Sequence, residues 1–450
     1  METLTTPGKP SDPPAASPRW VLLEPYVNNK VSDDPSVPNA KTTAASCTST
    51  GKLFTLSFAL AAPPATSTYC CEWMGGWPGD GDDAGEVERR RQIYNGRDHS
   101  KNLHIIAAHD DCVLIHLNPP EGRFCSRYDN RRDYFLYESG AGRTPPWLSL
   151  LPGCYFSKLF HRDDGNRHVP SRIDEPRSLN ESNTAVVRLV GGEVLVAQLE
   201  VIREDHGLHN TAELCVLRPG RGEWKLKQLH IVHTDGGSKQ LPDSQDIDAT
   251  VAVGVRFVCW VDNNSGFYLH DMGDETSSKL VYIPLPIPMP EEHHRKGDRA
   301  YVPYGHNLGA AGLYAVRFVS VAPRCCCGGH GKTSCDRSRF AFNVTTWTLR
   351  LKVEGPMTWV KDGVLDCDEL WQLPNYGCLP RVPPKCPIVS ADNPNIICFA
   401  LCEDHHLIDN ADETVWLLEI DTRRKVLLSV VRHGTGGYYS DSRLPAKISW

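Results

Sequence analysis

The chain has 450 residues, and its 48 basic against 55 acidic side chains leave a net charge of −7. That balance supplies no broad cationic field, so general nucleic-acid binding and attachment to an anionic membrane are excluded. Hydrophobic residues at 40% and charged residues at 23% describe a globular chain long enough to fold without disulfide or metal staples.

Residues 1–18 carry Pro7, Pro10, Pro13, Pro14 and Pro18 with no apolar run behind a basic cluster, and read as a flexible leader rather than a secretory signal. The most apolar stretch, Leu53 to Ala62, falls well short of the ~20 residues that cross a bilayer, so no membrane span is expected. Short runs rich in Val, Ile, Leu and aromatics then recur along the chain, separated by Gly, Pro, Asn and Asp. Among them are Trp20 to Leu23, Leu103 to Ala107, Cys112 to Leu117, Val194 to Val201, Phe257 to Val261, Leu313 to Val319, Ile396 to Leu401 and Val426 to Val431. Helical periodicity is scarce.

A loose repetition narrows the architecture. Runs such as Phe257 to Val261 and Val415 to Ile420 are each followed by a turn, Asn263 to Gly266 and Asp421 to Arg424, and then a further strand. Units beginning near Arg19, Lys101, Glu181, Asp248, Ala300 and Pro384 give an all-β, propeller-like fold of about six irregular blades of antiparallel strands, with little helix. Residues 19–433 are expected to form this one domain and residues 434–450 a C-terminal tail. The alternative is two packed all-β domains with a seam near Arg162 to Ser182.

The 17 cysteines are an odd number, and most lie inside apolar runs, as Cys112, Cys215, Cys259 and Cys398 do. They read as small buried hydrophobes of a reducing compartment, the cytoplasm or nucleus. The densest cluster is Cys325-Cys326-Cys327-Gly328-Gly329-His330-Gly331-Lys332-Thr333-Ser334-Cys335. Cys325, Cys327, His330 and Cys335 carry the donor types of a tetrahedral zinc site. Structural zinc sites normally join two separate ligand hairpins, so the first reading here is a glycine-rich loop with free thiols and the second is zinc. The same segment ends like a phosphate-binding loop at Gly331-Lys332-Thr333, but leads into strand residues rather than a helix. Asp362, Asp366, Asp368 and Glu369 read as a hairpin turn at Lys361-Asp362-Gly363 followed by a short capped helix, ahead of any cation site. No Gly-x-Ser-x-Gly turn or His-Glu-x-x-His pair marks a catalytic centre.

The segments Phe257 to Asp262, Phe340 to Leu349 and Trp359 to Trp371, with Trp20 to Glu24 and Asp133 to Tyr137, resemble the DUF1618 family, a domain of unknown function abundant in grasses; the resemblance is strongest over residues 255–400. It implies no catalytic residue and no cofactor. The expected function is therefore a non-enzymatic platform for a protein partner, with long polar segments at Gly75 to Asn102, Ser157 to Ser182, His233 to Asp248 and Glu291 to Asp298 interrupting the strands. A hydrolase or lyase with its site in a central channel is the alternative, and a zinc module at Cys325 to Cys335 a second one.

Overall fold

The computed structural model describes residues 19–26, 40–74, 103–118, 132–140, 144–163, 168–202, 211–233, 247–287, 305–324, 340–402, 414–433 and 443–448. Its strands fall into six groups taken in chain order, antiparallel within each except that the first strand of the first group pairs parallel with the fourth. The first contains β1 (Val21–Leu23), β2 (Ala44–Cys47), β3 (Leu53–Ala59) and β4 (Thr66–Trp73). The second is β5 (Leu103–His109), β6 (Cys112–Leu117), β7 (Asp133–Glu138) and β8 (Trp147–Leu150). A separate hairpin, β9 (Tyr155–Asp163) with β10 (His168–Pro176), follows. The third group is β11 (Thr184–Arg188), β12 (Val194–Val201), β13 (Thr211–Leu217) and β14 (Trp224–His233), and the fourth is β15 (Ala249–Val253), β16 (Phe257–Asp262), β17 (Gly266–Asp271) and β18 (Lys279–Pro284). These two join edge to edge through the parallel pair β14–β18, making one eight-stranded sheet. The fifth is β19 (His306–Ala310), β20 (Ala315–Pro323), β21 (Phe342–Arg350) and β22 (Trp359–Asp366), then the five-residue helix α1 (Cys367–Trp371). The sixth is β23 (Lys385–Val389), β24 (Ile396–Cys402), β25 (Val415–Asp421) and β26 (Val426–His433).

A last strand, β27 (Leu444–Ala446), returns to the first group and pairs antiparallel with β1, Val21 opposite Ala446. Within the segment 434–450, expected as a tail, Leu444–Ala446 thus form a strand of a sheet. Its three residues are too few, and too interrupted by Pro445, to register as a strand in the sequence.

Apolar packing closes these groups into a ring. One cluster joins the first and second groups through Leu23, Phe58, Ile115 and Phe135, and another joins the second and third through Leu114, Leu136, Val186 and Val196. Trp260 packs with Leu199 and Leu214 between the third and fourth, while Phe267 packs with Phe318 and Leu349 between the fourth and fifth. Phe342 and Leu365 meet Phe399 and Leu418 between the fifth and sixth. Finally Trp20 and Leu22 meet Ile388 and Cys398, so the sixth group packs on the first. The all-β, propeller-like expectation holds in this closed sequence of sheets.

The ring explains the sequence pattern. Along β16 every residue is buried, Val258 and Trp260 toward the third group and Phe257, Cys259 and Val261 toward the fifth. A strand flanked on both faces loses the apolar–polar alternation of a half-solvated sheet. Outer strands keep an exposed face, as Val360 and Val364 on β22 show. Where innermost strands approach closely, side chains give way: a Cβ at Gly309 of β19 would stand 2.6 Å from Val389 Cβ of β23.

Candidate functional site at the front of the ring

The innermost strands β5, β11, β15, β19, β23 and β27 run in one direction. Thr250 Oγ1 at the start of β15 donates to Thr184 O at the start of β11 (2.8 Å). Arg188 at the end of β11 donates from its backbone to His109 Nδ1 (3.3 Å) and from Nε to Asp111 Oδ1 (2.8 Å) at the end of β5, and Lys447 N just past β27 donates to Asp110 O (2.6 Å). The end where these strands start is here called the front face. The long connections 74–102, 118–132, 202–210, 234–248, 285–305, 324–341, 403–414 and 434–443 all join strand ends on that face. The rear connections are shorter, 139–146 and 351–358 being the longest.

The front face also gathers ionisable side chains from distant parts of the sequence. Residues 24–26 leave β1 and are stitched between the first two groups: Glu24 N donates to Ser67 O (2.9 Å), Ile105 N to Pro25 O (2.9 Å), and Tyr69 Oη to Pro25 O (2.8 Å). This holds the Tyr26 ring against His104 at 5.7 Å, and its hydroxyl donates to Glu181 Oε1. His104 and His116 are opposite each other on β5 and β6, so their Nδ1 atoms lie 3.2 Å apart, one imidazole donating to the other. His116 packs on Tyr134, whose hydroxyl accepts from Leu179 N (3.0 Å). Burial holds His104 below the usual imidazole range, Glu181 opposing this. His116 is pushed down to about 3 by burial first, then by His104 and Arg132. Both rings are therefore neutral at pH 7, fitted to exchange hydrogen bonds rather than to carry charge.

A second buried element adjoins them. Glu24 is pushed up to about 7 by burial, with the Arg443 guanidinium pulling the other way, and burial lowers Arg443. Glu24 is thus half-ionised near neutral pH, beside a buried cation from the residue that precedes β27.

The acidic cluster lies elsewhere. Asp362–Gly363 sits inside β22 rather than in a hairpin turn, because β21 pairs along it past an irregularity between Thr346 and Trp347. The expected short helix is present: Asp366 caps α1, accepting from Asp368 N (2.9 Å), and Glu369 Oε2 accepts from Asp366 N (3.1 Å) to complete a capping box. Asp366, Cys367 and Asp368 place their ligand atoms within 4.8 Å of one another, yet Arg324 Nη2 donates to Asp366 Oδ1 (2.8 Å) and Asp368 Oδ2 (2.6 Å). The guanidinium occupies the place of a cation there.

Cys325, Cys327, His330 and Cys335 lie outside the described residues, as do residues 1–18 and the segments 75–102 and 291–298. The segment 157–182 is not one long loop, since most of it forms the β9–β10 hairpin. No helix among the described residues is long and apolar enough to cross a membrane. Sequence reasoning missed the Tyr26, His104, His116 and Glu181 group entirely. The available signal was a single polar residue inside an apolar strand, at Leu103-His104-Ile105 and Ile115-His116-Leu117.

The fold and front face define an all-β, propeller-like protein with a partly exposed histidine–tyrosine–carboxylate group where its innermost strands begin. Residues 260–398 match the family described as "Protein of unknown function (DUF1618)". No curated protein matches the chain. Among solved structures it is similar to a mutant apocarotenoid oxygenase from Synechocystis, with 9% identity, 93% of this chain and 81% of that one covered, and a TM-score of 0.32. It is also similar to a protein of unknown function from Dyadobacter fermentans, with 12% identity, 73% and 82% coverage, and a TM-score of 0.26.

Proposed function

We propose that the protein is a non-enzymatic interaction platform that engages a protein partner at the front face. The observation that supports this most is the segregation of long connections: 74–102, 234–248, 285–305 and 403–414 leave one end of a ring whose other end is closed by short turns. A rigid ring with recognition segments on a single face presents a wide surface at little ordering cost to the scaffold. The described front-face groups also engage one another, Tyr26 with Glu181 and His104 with His116. The cytoplasm or nucleus is the proposed place of action, since Cys112, Cys215, Cys259 and Cys398 sit as small hydrophobes inside buried strands. Replacing 75–102 and 288–304 by short Gly-Ser linkers, separately and together, is predicted to abolish cross-links to reproducibly captured partners while thermal unfolding stays unchanged. Cross-links that persist, or that map to the rear turns, overturn the reading.

A hydrolase or lyase is the second reading, favoured by His104, His116 and Glu181 meeting at the mouth of the ring. It predicts that a substrate-panel activity of the purified chain is lost on His104→Ala; an activity unaffected by that change removes it. The zinc module at Cys325, Cys327, His330 and Cys335 predicts close to one zinc per chain by elemental analysis, and less than about half an equivalent removes it.

A further inference from the structure

We propose that Cys154 and Cys215 form a peroxide-sensitive thiol pair that closes to a disulfide, with Arg177 as the residue that positions and activates the reacting sulfur. Cys154 directly precedes β9 and Arg177 directly follows β10, and Arg177 N donates to Cys154 O at 2.8 Å, so the two residues form the base of that hairpin. Cys215 lies in β13, where Arg177 Nη1 stands 3.0 Å from its sulfur. The Cys154 thiol makes a hydrogen bond to the same sulfur. Arg177 is itself fixed by Glu213 and by Glu200 Oε2 at 3.3 Å. One sulfur therefore receives both a thiol donor and a guanidinium donor.

That environment separates Cys215 from the other buried thiols. The bond from Cys154, reinforced by Arg177 and opposed by burial, holds Cys215 below the usual thiol range, whereas burial pushes Cys259 and Cys398 up. Thiolate character selects the cysteine that oxidises. Both sulfurs are buried, and Arg177, which contacts Cys215, also pairs with Glu200, whose side chain is 54% exposed.

The oxidant is a hydroperoxide. The Cys215 thiolate attacks its outer oxygen, the O–O bond breaks, an S–O bond forms, and the leaving oxygen takes a proton to become water or an alcohol. The Cys154 thiol then attacks the sulfenic sulfur, the S–S bond forms, and the sulfenic oxygen leaves as water with the thiol proton. With hydrogen peroxide, two thiols and one peroxide become one disulfide and two waters. The product ties the base of the β9–β10 hairpin covalently to β13.

The test is differential alkylation of the purified full chain after graded hydrogen peroxide, read by peptide mass spectrometry. A dithiothreitol-reversible Cys154–Cys215 peptide is expected at doses that leave Cys259 and Cys398 alkylatable after denaturation. Cys154→Ser is expected to leave a dimedone-trapped sulfenic acid on Cys215, and Arg177→Gln to slow loss of the Cys215 thiol about tenfold. In the wild-type chain, which requires no variant to fold, oxidation of Cys215 no earlier than Cys259 overturns the proposal. So does a Cys215 that pairs with any cysteine other than Cys154.

Discussion

Replacing His116 by Phe should flatten the acid side of the stability profile. The ring is almost completely buried, 6% exposed, and its folded value of about 3 sits far below the ordinary 6.5. Between those values the unfolded chain holds a proton on His116 that the folded chain does not. The stability contribution is therefore complete above pH 6.5 and is lost as pH falls toward 3. At ~1.4 kcal/mol per pH unit, going from about pH 7 to about pH 4 removes about 3 kcal/mol through this one side chain. Phe keeps the contact with Tyr134 but takes no proton, so its own packing cost, and the loss of the bond to His104, shift the profile without restoring its slope. Urea unfolding at a series of pH values, parent against variant, measures the difference directly. An acid slope identical in the two proteins would refute the burial argument for this histidine.

Glu24 slopes the other way, because its folded value is raised: its contribution is complete below about pH 4.5 and lost as pH rises through about 7, so a parent more stable at pH 8 than at pH 6 after correction for other groups contradicts that assignment. Trp260→Phe removes the indole donor to Asn183 O (2.9 Å) and should cost about 1–3 kcal/mol, read as a lower urea midpoint. Gly309→Val drives a side chain into Val389 and should destabilise by at least about 1–3 kcal/mol, whereas the same change at Gly191, with open space around it, should not show that steric loss beyond its backbone strain. Asp366→Ala loses the α1 cap and two Arg324 contacts, and should cost about 0.5–2 kcal/mol in the same assay.

The parts of the fold legible in the sequence are those with two buried faces. Units expected near Lys101, Glu181, Asp248 and Pro384 begin at Leu103, Thr184, Ala249 and Lys385, since the second strand of each group opens on at least four consecutive apolar residues that announce its unit. Outer strands were harder to read. Trp359–Asp366 holds Lys361-Asp362-Gly363 on a solvent-facing edge, so local composition suggested a turn where pairing to β21 makes a strand. The hairpin β9–β10 carries Lys158, Arg162, Arg172 and Glu175, and its strands are defined by pairing with each other. The front-face group was illegible for a different reason. Tyr26, His104, His116 and Glu181 come together through strand register and ring closure, and neither leaves a short-range motif.

Amide hydrogen exchange at the two ends of the chain tests the closed ring most directly. Val21–Leu23 and Leu444–Ala446 are predicted to exchange slowly and together, and truncation before Leu444 is predicted to release protection in β1 and at the Ile388 and Cys398 contact. Fast exchange at Leu22 in the intact chain, or protection there that survives the truncation unchanged, would mean that the sheets do not close through this pairing.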